Sequence, residues 1–343
     1  QVVGDHIELQ FDTRSRLQGL AASGNVATDW QEPGQPPRRT WSAELRAEFD
    51  PRGELAAAEQ WGSVRFREQE LEAVAGRARF VAEHAVFVLT EKPALWDATL
   101  RLTAQRIEIS PRNARLAALG DVRTSYQGRD AKPVFGSGQP VHLVAERMEG
   151  DRRRAWARYQ GQARLWQGEN RLQADVIELF ENPRKLLAAG RVTSLLVVQG
   201  REAGEKSVAR RLEISSEQLT YLEAERRALY EQEAVARAHF ATLTAPRLEV
   251  FLEEAAAGGS AQVERVHASG GVVVTQPGRR AVAEHGEYTV ADETLVLWGG
   301  EAQLIDAAQG STTGARLTFN LANDSILVES ATGSRSVTRR SWN

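Results

Sequence analysis

The sequence predicts an all-β protein built from repeated antiparallel strands, and three observations support that prediction. Segments such as "RIEI" (106–109) and "RLTFNL" (316–321) alternate apolar with polar residues, which is the pattern of strands with one buried face. Turns rich in Asp, Asn, Pro and Gly separate these segments at the spacing typical of antiparallel β domains. Finally, a Gly–x–Val step occurs five times, at Gly24, Gly62, Gly120, Gly190 and Gly270.

The Gly–x–Val step ends a longer repeated unit. In "ADVIELFENPRKLLAAGRV" (174–192) an alternating strand is followed by a polar turn and then by a return strand rich in Leu and Ala. Segments 6–26, 43–64, 104–122 and 245–272 follow the same order. A glycine at a fixed point allows a strand to bend or bulge, and the valine then returns to the interior face. We therefore expect each step to be a corner in a repeat architecture.

One segment has a competing local preference. Residues 217–240, "EQLTYLEAERRALYEQEAVARAHF", have the composition of a helix. However, Leu219 and Tyr221, and then Ala236, Ala238 and Phe240, keep a two-residue spacing, and the flanking segments are repeat strands. Because β-propensity depends strongly on context, we expect strands here as well.

Composition excludes several classes of function. The formal net charge of −3 offers no basic field for nucleic acid, so no nucleic-acid partner is expected. The absence of cysteine excludes disulfides, thiolate zinc sites and cysteine nucleophiles. The six histidines show no metal-binding spacing, and no G-x-S-x-G elbow or phosphate loop occurs. We expect no catalytic residue, metal or cofactor, and hence a protein that is not an enzyme.

The repeated unit resembles the OstA-like repeats of the lipopolysaccharide-transport (Lpt) proteins. The similarity is clearest in 174–192 and in "AEHGEYTVADETLVLWGGEAQLIDAAQGSTTGARLTFNLANDSILVES" (283–330). The family includes a periplasmic bridge protein, the periplasmic part of its inner-membrane partner, and the amino-terminal domain of the outer-membrane translocon. The resemblance implies an elongated, V-shaped antiparallel β-jellyroll. Its apolar groove would carry lipopolysaccharide acyl chains across the periplasm, after loss of any signal peptide or anchor.

Alternation selects the side chains that would line such a groove, and none of them needs a catalytic group to hold lipid. Each buried methylene is worth roughly 0.8 kcal/mol, so several contacted acyl chains would bind usefully. An ordinary closed core is the alternative interpretation of the same residues. The predicted wall residues are Leu9, Phe11, Val26, Leu45, Phe49, Val64, Phe66, Ile107, Ile109, Val122, Ile177, Leu179, Val192, Leu196, Leu248, Val250, Val272, Val274, Leu304, Leu317 and Phe319.

The terminal strands suggest how partners would bind. The predicted first strand (2–11) and last strand (325–330) contain no proline, the usual means of blunting an edge. We expect docking to homologous jellyroll proteins through these edges, or head-to-tail self-association. Arginine pairs and runs at 152–154, 210–211, 226–227 and 279–280 would either contact lipid phosphates at a groove rim or form solvated strand faces.

A Gly- and Pro-rich stretch divides the chain into two predicted modules. We expect a first jellyroll at 1–130, a connecting segment at 131–141 and a second jellyroll at 142–343. Two alternatives remain open for the function. The chain could be the soluble region of a membrane-anchored or translocon-type member of the same family. It could also be a β-helical surface adhesin or polysaccharide lyase, although the loose repeat period argues against a regular coil.

Overall fold

The computed structural model describes residues 1–31, 36–127, 139–201, 207–253, 262–330 and 337–339, and no α-helix occurs among them. The all-β prediction is therefore confirmed. The first half of the chain contains β1 (Val2–Val3), β2 (His6–Phe11), β3 (Leu17–Trp30), β4 (Arg38–Phe49), β5 (Leu55–Glu68), β6 (Leu71–Val81), β7 (Val86–Thr90), β8 (Ala94–Trp96), β9 (Leu100–Thr103), β10 (Arg106–Ser110), the 3₁₀ turn η1 (Pro111–Asn113), β11 (Arg115–Tyr126) and β12 (Val141–Asp151).

The second half continues in the same manner, including across the helix-prone segment 217–240. Its elements are β13 (Trp156–Gln167), β14 (Asn170–Glu181), β15 (Arg184–Arg201), β16 (Ser207–Leu222), the 3₁₀ turn η2 (Glu223–Glu225), β17 (Arg227–Arg237), β18 (Thr242–Leu252), β19 (Val263–Gln276), β20 (Arg279–Thr289), β21 (Thr294–Asp306), β22 (Gly310–Asn320), β23 (Ser325–Glu329) and β24 (Val337–Arg339).

The chain divides into two compact units. Unit 1 comprises Gln1–Ala131, Pro140–Ala163 and Phe180–Asn182, and unit 2 comprises Lys132–Gln139, Arg164–Leu179 and Pro183–Asn343. Most of the predicted connecting segment, 131–138, lies outside the described residues. The two-jellyroll division at 131–141 therefore stays a prediction.

Within each unit the strands form an antiparallel meander, in which a strand pairs with its neighbours in sequence. In unit 1, β3 pairs with β4, β4 with β5 and β5 with β6. In unit 2, the same order runs from β15 through β22. These antiparallel pairings are incompatible with the β-helix of the adhesin or lyase alternative, whose coils stack parallel strands.

The Gly–x–Val steps are the corners of this meander, as predicted. Gly24, Gly62, Gly120, Gly190 and Gly270 all have φ between +74° and +89°, and the residue after each glycine also has positive φ. The pairing register shifts at every one of these points; in β5, for example, it shifts between Trp61 and Val64. One extra residue on the bulged strand bends it sharply.

Crowding at the corner excludes a side chain as well. A Cβ on Gly62 would lie 2.6 Å from the Cβ of Ala43 on the neighbouring strand. Glycine is thus needed at this corner both for its left-handed backbone and for the close approach of the next strand.

Each corner divides a long strand between two layers that face each other. In unit 1, the first layer contains β2, β7, β10 and the parts of β3, β5 and β11 before the corner, while the second layer contains β1, β8, β9 and the parts after it. Trp30 of the second layer stacks edge-on against Phe80 of the first, with ring centroids 4.5 Å apart. Phe66 and Phe87 meet in the same way at 5.1 Å. The core of unit 1 therefore lies between its two layers.

Candidate functional site: the apolar interior

Rows of inward side chains cross neighbouring strands in both units. Because paired residues of antiparallel strands point to the same face, the registers define these rows directly. A row of the first layer in unit 1 runs through Ala22, Leu45, Gln60, Ala78, Leu89, Ile107, Ala118 and Met148. The corresponding row in unit 2 runs through Ala188, Leu219, Tyr230, Leu248, Ala268, Gly286, Leu297, Leu317 and Val328.

Most of the predicted wall residues lie in these interiors and are closed to solvent. Phe49 and Leu179 are half-buried, whereas Leu9 and Phe11 are 48% and 57% exposed. The structure does not test their contact with lipid. The buried members are Val26, Leu45, Val64, Phe66, Ile107, Ile109, Val122, Ile177, Val192, Leu196, Leu248, Val250, Val272, Val274, Leu304, Leu317 and Phe319.

The two exposed members mark an open end of unit 1. In the register, Ile7 pairs with Ala22 and Leu9 with Leu20, so these side chains belong to the inner face. They are exposed because β2 pairs only with β3 among the described residues. The inner face of this edge strand therefore presents apolar side chains next to unpaired backbone groups.

The interior of unit 1 is partly polar, which alternation alone did not predict. The hydroxyls of Thr28 and Thr40 hydrogen-bond to each other, and the Gln60 amide donates to the Thr40 hydroxyl at 2.7 Å. Arg38 and Glu68, both buried, form an ion pair at 3.5 Å near the end of the same layer. Buried polar groups persist when such partners satisfy them. A sequence pattern assigns inward Thr and Gln residues to the wet face and so misses them.

A tyrosine pair crosses the interior of unit 1. The hydroxyls of Tyr126, in the second layer, and Tyr159, in the first, lie 2.9 Å apart. Burial raises the pKa of Tyr159 to about 12 and that of Tyr126 well above its usual value. Both phenols are consequently neutral at physiological pH, and their hydrogen bond joins the two layers.

In unit 2, the tips of the two layers are joined by a set of contacts that we call the latch: Arg210, Phe240, Tyr288 and Glu293. Arg210 of the second layer donates to Glu293, in the β20–β21 turn of the first layer, at 3.0 Å. The Phe240 ring, in the β17–β18 turn of the second layer, lies 4.9 Å from the Tyr288 ring of the first. Both charged side chains are less than a quarter exposed. Arg210 therefore does not belong to a solvated strand face, and the latch holds the layers together at their tips.

A second cross-layer ion pair lies beside the latch. Arg279 donates to Asp324, in the β22–β23 turn of the first layer, at 2.6 Å, and to Asp306 of its own layer at 3.0 Å. The three side chains line a polar recess of about 450 Å³ together with Phe240 and Gln276. Arg279 raises no net charge here because two carboxylates flank it. These contacts join residues up to 83 positions apart, and no sequence pattern predicted them.

Within the described ranges, no cluster of His, Asp or Glu side chains has the arrangement of a metal site. No helix in those ranges has the length and apolar character needed to cross a bilayer.

Comparison with known proteins points to lipopolysaccharide transport. Residues 213–325 match the family model described as LptA/(LptD N-terminal domain) LPS transport protein, which confirms the resemblance over that segment of unit 2. No curated protein matches the chain. Among solved structures, LptH, the LptA-homologous periplasmic component of the lipopolysaccharide transport device of Pseudomonas aeruginosa, is 12% identical. That match covers 60% of this chain and 94% of LptH with a TM-score of 0.27, a likeness that carries no further argument.

Proposed function

We propose that this chain is a periplasmic component of lipopolysaccharide transport that holds lipid acyl chains between the two layers of each unit. The observation that carries the proposal is the set of apolar rows on the facing inner surfaces, in a chain whose residues 213–325 match a lipopolysaccharide-transport family. Binding would replace contacts between the layers with contacts to methylene groups, which need no catalytic residue.

Lipid entry would require the layers to separate, because the wall residues are almost fully buried in the closed state. The latch and the Arg279–Asp324 pair are the contacts that must open in unit 2. The corner glycines would act as the fold lines, since they lie at the opposite side of each layer from the tips. Loading is thus a change in the distance between two layers that are already present.

The partners in this proposal dock through strand edges. The free edge of β2 combines unpaired backbone groups with exposed Ile7, Leu9 and Phe11. A homologous jellyroll, or a second copy of this chain, could add a strand there and cover those side chains. Whether the chain acts as a free bridge or as part of a larger anchored or translocon-type protein depends on sequence outside the described units.

Site-specific photocrosslinking to lipopolysaccharide tests the proposal. A photoreactive residue at Ile177 or Phe319 would face the interior, while one at Glu178 or Thr318 on the same strands would face outward. We expect lipid adducts from the inward positions only. Equal labelling from the two faces, or labelling of none, would refute binding in the interior.

A further inference from the structure

Two adjacent turns at the tip of the first layer of unit 1 carry a concentration of arginine that we call the arginine rim: Arg112, Arg115, Arg152, Arg153 and Arg154. The first two lie in and just after η1, and the other three form the β12–β13 turn. All five side chains are exposed. The carboxylates beside them are Asp151 and Glu181, whose backbone N–H donates to Ala155. Five cations therefore face two anions in this part of the surface.

Hydrogen bonds hold the two turns together. Asp151 accepts the backbone N–H groups of Arg153 and Arg154 at 3.0 and 3.1 Å. The Arg153 guanidinium donates to the Arg112 carbonyl at 2.8 Å, and the Arg152 N–H donates to the Ala114 carbonyl at 2.9 Å. The backbone carrying the arginines is thus ordered even though their side chains face solvent.

The equivalent turn in unit 2 shows that the fold does not require this charge. η2 ends, like η1, on a residue with a left-handed backbone: Arg226 at φ +48° and Ala114 at φ +53°. However, η2 itself contains Glu223 and Glu225, and Arg227 pairs with Glu225 at 2.7 Å. The same backbone unit is therefore compensated in unit 2 and strongly basic in unit 1.

The arginine rim also borders the apolar interior. Arg115 is followed directly by Leu116, which is buried and pairs across the ladder with buried Ile109. A ligand with its polar end at the rim would have its apolar part beside this row. Guanidinium groups bind phosphate oxygens in bidentate geometry, so phosphate is the anion that this surface suits best.

We propose that the arginine rim binds the phosphate groups of an amphipathic lipid whose acyl chains enter the interior of unit 1. This inference rests on the proposed function and extends it by assigning a headgroup site. It also predicts a polarity of loading, because only unit 1 has a basic tip at this turn.

The test compares two charge-matched triple variants. R115Q/R152Q/R154Q removes three rim charges and retains the Arg153–Arg112 hydrogen bond, whereas R211Q/R226Q/R280Q removes three exposed arginines elsewhere. We expect the rim variant to bind lipopolysaccharide about tenfold more weakly than wild type at low ionic strength, as three exposed charge pairs imply. The difference should disappear near 1 M salt, where the Debye length is about 3 Å. The control variant should bind like wild type.

Further arms separate the possible outcomes. Dephosphorylated lipid should bind the wild type and the rim variant equally, while inorganic pyrophosphate should compete only weakly because it lacks acyl chains. Equal losses in both triple variants, or retained discrimination with dephosphorylated lipid, would overturn the inference. Pyrophosphate binding as tight as that of the lipid would assign the rim to free phosphate and also overturn it. Failure of the interior photoprobes with every lipid would instead refute the proposed function.

Discussion

The close approach at the Gly62 corner gives a direct test of why the repeated glycine is required. We compare Gly62→Ala with Gly53→Ala, since both residues lie in unit 1 and have nearly the same φ, +79° and +81°. A methyl group on Gly53 would meet no atom within 4 Å, but one on Gly62 would lie 2.6 Å from the Ala43 Cβ. Gly53→Ala therefore measures the backbone term alone.

The expected magnitudes follow from that difference. A left-handed backbone costs an alanine about 1–2 kcal/mol, of which the reduced entropy of the unfolded chain offsets about 0.4–1 kcal/mol. The collision at Gly62 adds an overpacking cost of about 1–3 kcal/mol. We therefore expect Gly62→Ala to lower the free energy of unfolding of unit 1 by about 1–3 kcal/mol more than Gly53→Ala does.

Urea denaturation followed by tryptophan fluorescence, with both variants compared with wild type, provides the measurement. Thermal unfolding should show the same order, with about 2–4 °C for each kcal/mol in a domain of this size. Equal destabilisation by the two substitutions would show that the corner needs only a left-handed backbone. The argument for close strand approach would then be wrong.

Three other outcomes follow from the structure. Since burial raises the pKa of Tyr159 to about 12 in the folded state, its contribution to stability should be complete below pH 10 and lost as the pH rises towards 12; Tyr159→Phe should flatten that part of the stability profile. Leu9→Lys at the free edge of β2 should abolish concentration-dependent self-association in sedimentation experiments, with outward-facing Gln10→Lys as the charge-matched control; persistent association would exclude this edge. Glu293→Gln should increase hydrogen exchange at the tips of unit 2 while lowering its stability by no more than about 1 kcal/mol, and unchanged exchange would argue against a latch.

The sequence predicted those features of the fold that depend on neighbouring residues. Alternation placed Ile107 and Ile109 correctly on the buried face, and the repeated glycine located the corners. It could not reveal the corner in β17, because Gln232 and Glu233 adopt positive φ there without any glycine. Surrounding strands impose that conformation, and local sequence carries no sign of it.

Contacts between the layers were beyond prediction for a different reason. The arginine pair at 210–211 has the appearance of a solvated face, yet the side chain of Arg210 reaches Glu293. Pairing of this kind depends on how far each strand extends before its turn and on which tips then meet. Alternation specifies the face of a side chain but not its partner across an interior.

The strength of the latch indicates which state the lipid would favour. A partly exposed ion pair contributes at most about 1 kcal/mol, and an aromatic pair about 0.5–1.5 kcal/mol. Ten methylenes moved from water into the interior would contribute roughly 8 kcal/mol. The latch can therefore keep an empty unit closed without preventing loading. Because any free energy spent in opening is subtracted from binding, Glu293→Gln should strengthen lipid affinity by no more than about fivefold. A much larger gain would mean that the latch, and not the apolar rows, controls occupancy of the interior.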